Sequence, residues 1–275
     1  MKNKTKELLN QMSTIGYVDE RLKILKDAFK GETVYIVAAG PSLNNYPLNQ
    51  LKEKLKDKLV FCIKQSYYNL KDICDFQLVN FSNLGPYDFK EHTIVCWLYW
   101  FEQHLQAIQE QNWKADLVFP IIRNGEPQGL EHLTGKERFQ KKLEQTVAHV
   151  GDWENTLFDK NLARPWGPAT MFELAIPLAE HLGCKKIVTL GWDIGDPTRY
   201  EDDKPESKRL DHFYQDEGTT LFDTVTIDKS ELMQMVDGTL EYYKFLKTRG
   251  IDFSIISDTN PVSSEVPRMK FEDIL

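Results

Sequence analysis

Several large classes of protein are excluded by what this chain lacks. It holds only four cysteines in 275 residues, Cys62, Cys74, Cys96 and Cys184, and none forms a CxxC pair. That spacing rules out a zinc ribbon and a small disulfide scaffold. Cysteines inside apolar runs read instead as reduced, buried thiols. Fifteen glycines and twelve prolines are too few for a fibrous or low-complexity chain. The longest apolar run, around Ile94 to Phe101, falls far short of the roughly 18 residues that span a bilayer. The first residues carry no apolar core of a signal peptide, so a cytoplasmic location is expected. Basic residues are outnumbered, 34 against 42 acidic, for a net charge of −8. A negative surface disfavours general binding to a nucleic-acid backbone. Neither a GxGxxG fingerprint nor a Walker loop occurs.

What is present is the composition of a soluble folded chain, 41% hydrophobic and 28% charged. A chain of this length buries about 70–75% of the surface its unfolded form exposes.

Apolar residues recur at helical spacing through 1–31, with a break at Gly16 and a stop at Gly31. This N-terminal helical segment is expected to pack on the domain or on a second copy, and its amphipathic character leaves peripheral membrane association open. The remainder, 32–275, reads as one nucleotide-binding domain. Short β-branched, apolar runs predict strands at 33–38, 59–63, 76–81, 93–98, 115–121, 186–190 and 253–256. Helices are predicted at 102–111, 169–182 and 228–247, the last two stopped by Gly183 and Gly250. Strands alternating with helices pair in parallel through crossovers, which predicts an α/β, doubly wound, mainly parallel Rossmann-like sheet. A polar stretch at about 125–163 without strand signals is expected to be a helical lid insertion. The densely charged stretch 196–217 reads as a loop.

Three places could carry chemistry. Ala38 to Leu43 reads Ala-Ala-Gly-Pro-Ser-Leu directly after the first strand. Small residues at Ala39 and Gly40 let a ligand approach the backbone, Pro41 suits a first helical turn and Ser42 can cap it. Exposed N–H groups at such a terminus favour phosphate, and a Cβ on Gly40 is expected to crowd that ligand more than the fold. The second place is Leu190-Gly191-Trp192-Asp193, at the end of a strand. Ligands of open α/β sheets sit at carboxyl ends of strands where the strand order reverses. Asp193 could bind a ribose, a metal or an acceptor sugar, or simply cap the neighbouring turn. The third is Arg209 to Tyr214, where Asp211 could orient His212. An imidazole titrating near neutrality suits removal of a proton from an acceptor hydroxyl. The aromatic run Trp97, Leu98, Tyr99, Trp100 and Phe101 could floor a pocket or simply pack the core. Glu201, Asp202 and Asp203 could hold an ion or form a solvated loop.

In their order and spacing, Ala39-Gly40-Pro41-Ser42-Leu43 and the later 182–193 segment, Leu-Gly-Cys-Lys-Lys-Ile through Leu-Gly-Trp-Asp, resemble the bacterial sialyltransferases of glycosyltransferase family 42. They resemble equally a broader group that includes motility-associated glycosyltransferases and archaeal hydroxymethylpterin pyrophosphokinases. The resemblance implies a single-domain, GT-A-like variant of the Rossmann-like sheet. It implies that Ala39, Gly40, Pro41 and Ser42 contact a CMP-linked donor. Lys64 and Gln65 fall where the family has a donor-contacting asparagine, and Asn80 fits a second. Arg164, Gly167 and Pro168 match in part an Arg-x-x-Ser-Gly turn, with Gly-Pro in place of Ser-Gly. Tyr200 corresponds to a tyrosine that steadies the departing phosphate, Asp193 to the strand-end aspartate and His212 to the catalytic base. Ser263 and Ser264 correspond to a C-terminal loop that reaches the phosphate.

The expectation is therefore a cytoplasmic enzyme of bacterial surface glycan biosynthesis. It would transfer an acidic sugar from a CMP-activated donor to a glycan or other hydroxyl acceptor by inverting displacement. No cofactor is required, and a homo-oligomer is open. The alternatives are a pyrophosphokinase, in which Asp193 and Asp196 would hold Mg²⁺, and a nucleotide-binding module without catalysis.

Overall fold

A computed structural model describes residues 1–80, 87–99, 117–122, 153–165, 170–194, 229–257 and 259–275. The expected lid is therefore described only from 153 on, and the expected helix at 102–111 and the 196–217 stretch lie outside the described residues.

The strands are β1 (Thr33–Val37), β2 (Leu59–Ile63), β3 (Phe76–Asn80), β4 (Ile94–Tyr99), β5 (Leu117–Ile122), β6 (Arg164–Pro165), β7 (Lys186–Leu190) and β8 (Asp252–Ile256). They form one sheet in the order β6-β5-β4-β3-β2-β1-β7-β8, and every described pairing is parallel. The chain builds outward from β1 to β6, then returns to the other side of β1 with β7 and β8. This is the doubly wound α/β sheet expected from the pattern. The strand missed in the sequence, β6, is two residues long and carries no periodicity.

Alternation along the strands sorts the two faces. Val34 and Ile36 of β1 pack with Met12 of α1 (Lys2–Met12), Leu25 of α2 (Val18–Leu25) and Leu246. Tyr35 and Val37 face the other way, toward Leu51 of α3 (Leu48–Leu55), Leu70 of α4 (Ser66–Leu70) and Phe271 of the C-terminal segment. A sheet covered on both faces needs apolar residues at successive positions, as in the fully buried Leu-Val-Phe-Cys-Ile of β2.

The helix expected at 169–182 begins as a π turn, Met171–Ala175, and becomes regular only in α5 (Ile176–His181). Pro177 supplies the reason: without an N–H it cannot make the i→i−4 bond, and its ring crowds the preceding turn. The long final helix α6 (Lys229–Thr248) matches expectation. Among the described residues, no helix is long and apolar enough to cross a membrane.

The free edge of β8 is covered. Ile255 N–H donates to Pro267 (3.0 Å) and Met269 N–H to Ile255 (3.0 Å), so the C-terminal segment runs along the strand and blunts an exposed edge. The four cysteines are buried and form no disulfide with one another. Burial pushes the Cys184 thiol up to about 12, which keeps it protonated and unreactive.

At the N-terminal edge, one buried carboxylate ties α1 to the sheet. Asp75, with no exposed surface, accepts from Lys2 Nζ (2.6 Å), Thr5 Oγ1 (2.8 Å) and the Val60 N–H (2.9 Å). Removing it orphans the buried Val60 N–H, at a cost of about 1–3 kcal/mol, and leaves the buried Thr5 hydroxyl only its longer bond to the Met1 carbonyl (3.2 Å). Asp75→Ala is therefore expected to lose about 2–4 kcal/mol of unfolding free energy in urea titrations, and Lys2→Met a comparable amount, because it leaves a fully buried carboxylate without its cation.

His92 lies near Lys2, Asp75, Asp72 and Lys90, and burial, then the Lys2 charge, lowers its pKa from 6.5. The unfolded chain then binds a proton that the native one refuses, so stability falls as pH drops below about 6.5. Chemical denaturation between pH 5 and 7 (approximate bounds) should show that slope, reduced in His92→Gln.

Candidate functional site

Strand order reverses at β1, between β2 on one side and β7 on the other. That junction is where open α/β sheets leave a crevice at the carboxyl ends of their strands. The turn after β1 and the turn after β7 meet there. Gly40 N–H donates to the Gly191 carbonyl (2.8 Å), and Ser42 N–H donates to Asp193 Oδ2 (2.8 Å) across 151 residues of sequence. Ala38, Ala39 and Gly40 are half-buried, and so is Asp193.

The contact requires glycine on both sides. A Cβ on Gly40 would fall inside contact distance of the Gly191 carbonyl oxygen and 2.5 Å from Asp193 Oδ2. A Cβ on Gly191 would fall 2.6 Å from Leu43 Cγ and 2.9 Å from the Ala38 carbonyl, at a backbone φ of +63°. The sequence expectation at Gly40 is thus corrected: an added methyl collides with this chain's own backbone and not only with a ligand.

The reading of the turn as a phosphate-binding helix terminus is corrected too. Residues Pro41–Asn45 form a single 3₁₀ turn whose N-cap, Gly40, has no side chain of its own to cap it. Its Gly40 and Ser42 N–H groups are taken by Gly191 and Asp193. Ser42 sits inside the turn, and its buried hydroxyl has no partner among the described residues. The cap is Asp193, the reading that competed with a ligand role. Its other oxygen, Oδ1, accepts from Ser257 Oγ (2.9 Å). Among the described residues, no group of three His, Cys, Asp or Glu is placed to hold a metal; Asp196, its expected partner in the pyrophosphokinase reading, lies outside them.

Lys64, one strand over, is also held in a specific shape. Its φ is +53°, its N–H donates to Leu78 (3.0 Å), and its carbonyl accepts from Gln77 Nε2 (2.9 Å). Gln77 is fully buried in a strand of apolar neighbours. Ser66 joins the same edge, donating to the Val37 carbonyl (2.8 Å). Gln65 and Asn80 are half-buried at the ends of β2 and β3. Ile194, just past Asp193, is the second non-glycine residue of this edge in the left-handed region, with φ +58°. A β-branched side chain there costs on the order of 1–3 kcal/mol and persists only where its surroundings enforce it.

The structure separates Arg164 from this group. It lies on β6, five strand steps from β1, or about 24 Å at the usual spacing. It is fully buried. Its guanidinium donates to the carbonyls of Thr156, Asn161 and Leu162 and lies 4.0 Å over the Phe158 ring. Burial lowers its pKa to about 10. Arg164 is a structural cation rather than a leaving-phosphate contact. Gly167, Pro168, Tyr200, Asp211 and His212 fall outside the described residues, as do Glu201, Asp202 and Asp203. Trp97 is fully buried and packs edge-on to Phe89, the core alternative of the aromatic run; Tyr99 is half-buried at the strand end. His181 bonds the Leu22 carbonyl (2.8 Å). Ser263 accepts the Glu265 N–H in its own turn (3.2 Å).

Ser257, Gln77 and Ser66 were missed in the sequence. Ser257 stands directly after the last predicted strand, so the rule that sites lie at strand carboxyl ends could have found it. A glutamine inside an apolar strand was a comparable signal for Gln77.

A scan against models of known protein families finds no match, and neither does a search of curated proteins. Among solved structures, the chain is similar to the sialyltransferase CstII from Campylobacter jejuni, in complex with a substrate analogue, cytidine-5'-monophosphate. That likeness has a TM-score of 0.42 at 15% identity and covers 87% of this chain and 85% of the other.

Gly40→Ala is expected to lower stability by about 1–3 kcal/mol, the usual cost of forcing a methyl into packed surroundings. Thermal denaturation checks this; an unchanged melting temperature would mean that the two turns separate freely.

Proposed function

We propose that the protein is a glycosyltransferase that moves an acidic sugar from a CMP-activated donor to a hydroxyl acceptor. One observation carries the reading. The two segments on which the family resemblance rests, 39–43 and 182–193, lie far apart in sequence yet meet backbone to backbone at the reversal point of the sheet. A crevice there suits a nucleotide.

In this reading the donor lies across the ends of β1, β2 and β3, against Ala39 and Gly40, with Lys64, Gln65 and Asn80 along its length. The two turn N–H groups already bonded within the chain do not serve the phosphate. Its charge is met from the β2 side, and by Tyr200 and the Gly167–Pro168 backbone as the resemblance implies. The acceptor oxygen attacks the anomeric carbon as the bond to the phosphate oxygen breaks. The electron pair leaves with CMP, the configuration inverts, and the acceptor proton passes to His212, oriented by Asp211. The leaving group is a monophosphate, so no metal is needed to offset a pyrophosphate.

Calorimetric titration with CMP, UDP, GDP and ATP tests the donor class. CMP is expected to bind and to raise the melting temperature. Stabilisation by ATP with Mg²⁺ alone, and activity abolished by EDTA, would replace this reading with the pyrophosphokinase.

His212→Ala is expected to cut turnover by about 10²–10⁴-fold with donor affinity held within a few-fold. The acid limb of the wild-type rate, near the imidazole pKa of about 6.5, should vanish in that variant. Loss of CMP binding with intact turnover per bound donor would place the base elsewhere.

A further inference from the structure

Asp193 stands between two parts of the chain, the turn after β1 and the segment after β8. Its Oδ2 accepts the Ser42 N–H (2.8 Å) and its Oδ1 accepts the Ser257 hydroxyl (2.9 Å). The backbone before it is fastened at the two preceding residues, and the residue after it is strained. The Gly191 carbonyl takes the Gly40 N–H, the Trp192 carbonyl takes Asn260 Nδ2, and Ile194 is held at a φ that a β-branched residue resists. Behind Ser257, the segment 259–268 is cross-linked within itself. The Arg268 guanidinium reaches the carbonyls of Val266 (2.9 Å), Asn260 (3.2 Å) and Val262 (2.8 Å). Asn260 Oδ1 accepts the Val262 N–H (3.0 Å).

We propose that Asp193 is a positioning residue: a brace that links the fixed C-terminal segment, through Ser257, to the Gly40 turn and holds that turn in the shape that receives the donor. The proposal rests on the donor-site reading above. A carboxylate is the natural part for this work, since it accepts at both oxygens and its bonds to N–H and O–H are charge-assisted. Its charge has a second effect. A phosphate over β7 would meet a like charge at close range, whereas one displaced toward β2 avoids it. The brace thereby also orients the donor, with its phosphate on the β2 side of the turn.

The test separates geometry from charge. Asparagine at 193 can keep both links: Oδ1 accepts the Ser42 N–H, and Nδ2 donates to Ser257 Oγ. Asp193→Asn is expected to retain CMP affinity, or to tighten it relative to uncharged cytidine. Asp193→Ala is expected to weaken CMP by about tenfold or more, the equivalent of one charge-assisted hydrogen bond. Ser257→Ala cuts the brace without touching the turn or the ligand. It should raise the donor KM about threefold, the low end for one lost hydrogen bond, with kcat unchanged. Should Asp193→Ala fail to fold, Ser257→Ala and Asp193→Asn carry the test. An Asp193→Asn protein that loses as much CMP affinity as Asp193→Ala would overturn the proposal and make the charge itself a ligand. So would a Ser257→Ala protein with a lower melting temperature but unaltered CMP affinity and KM, the signature of a purely structural contact. A wild-type protein that binds none of CMP, UMP, AMP or GMP would overturn the donor-site reading, and the brace with it. Binding by the wild type with unaffected variants would overturn the brace alone.

Discussion

Two backbones meet after β1 and β7 with no room for a side chain on either, and the carboxyl-terminal edge of the sheet is organised around that approach. Gly40 donates to Gly191, and each glycine occupies space where a methyl would strike the other turn. The close approach lets one carboxylate, Asp193, reach the neighbouring turn and the C-terminal segment at once. The 3₁₀ turn, the exit of β7 and the path of residues 257–268 all depend on this junction. It replaces the free helix N-terminus that a Gly-Pro-Ser sequence brings to mind. The N–H groups that would have faced an anion are turned inward.

The two edges of the sheet use buried polar groups differently. At the amino-terminal edge, Asp75 gathers Lys2, Thr5 and the Val60 N–H into a closed set that fastens α1 to the sheet. Its donors are all within the chain, and its role is stability. At the carboxyl-terminal edge, Lys64 and Ile194 both take left-handed conformations, and β3 holds Lys64 there through Gln77 and Leu78. Arg164 shows the limit of motif reasoning. Its charge is enclosed by carbonyls and an aromatic ring, several strands away from the residues it was expected to join.

The sheet itself was legible in the sequence. Apolar, β-branched runs such as 33–38 and 186–190 can only be strands buried on both faces, and helices between them oblige parallel pairing. The end of α6 and the break near Gly16 were legible for the same local reasons. The boundaries of α5 were not, because Pro177 converts its first turn to π geometry through a missing hydrogen bond that composition does not reveal. Gly40, Asp193 and Lys64 could be singled out because short motifs and strand ends are local features. Which atoms they meet could not. Whether Asp193 faces a ligand or the Ser42 N–H depends on how closely the turns after β1 and β7 approach, and that distance is set by two glycines 151 positions apart. Ser257 enters the junction because β8 lies beside β7. Sequence determined the elements through local periodicity; tertiary structure decided every partner at the strand ends, since each one crosses between strands that are remote in the chain.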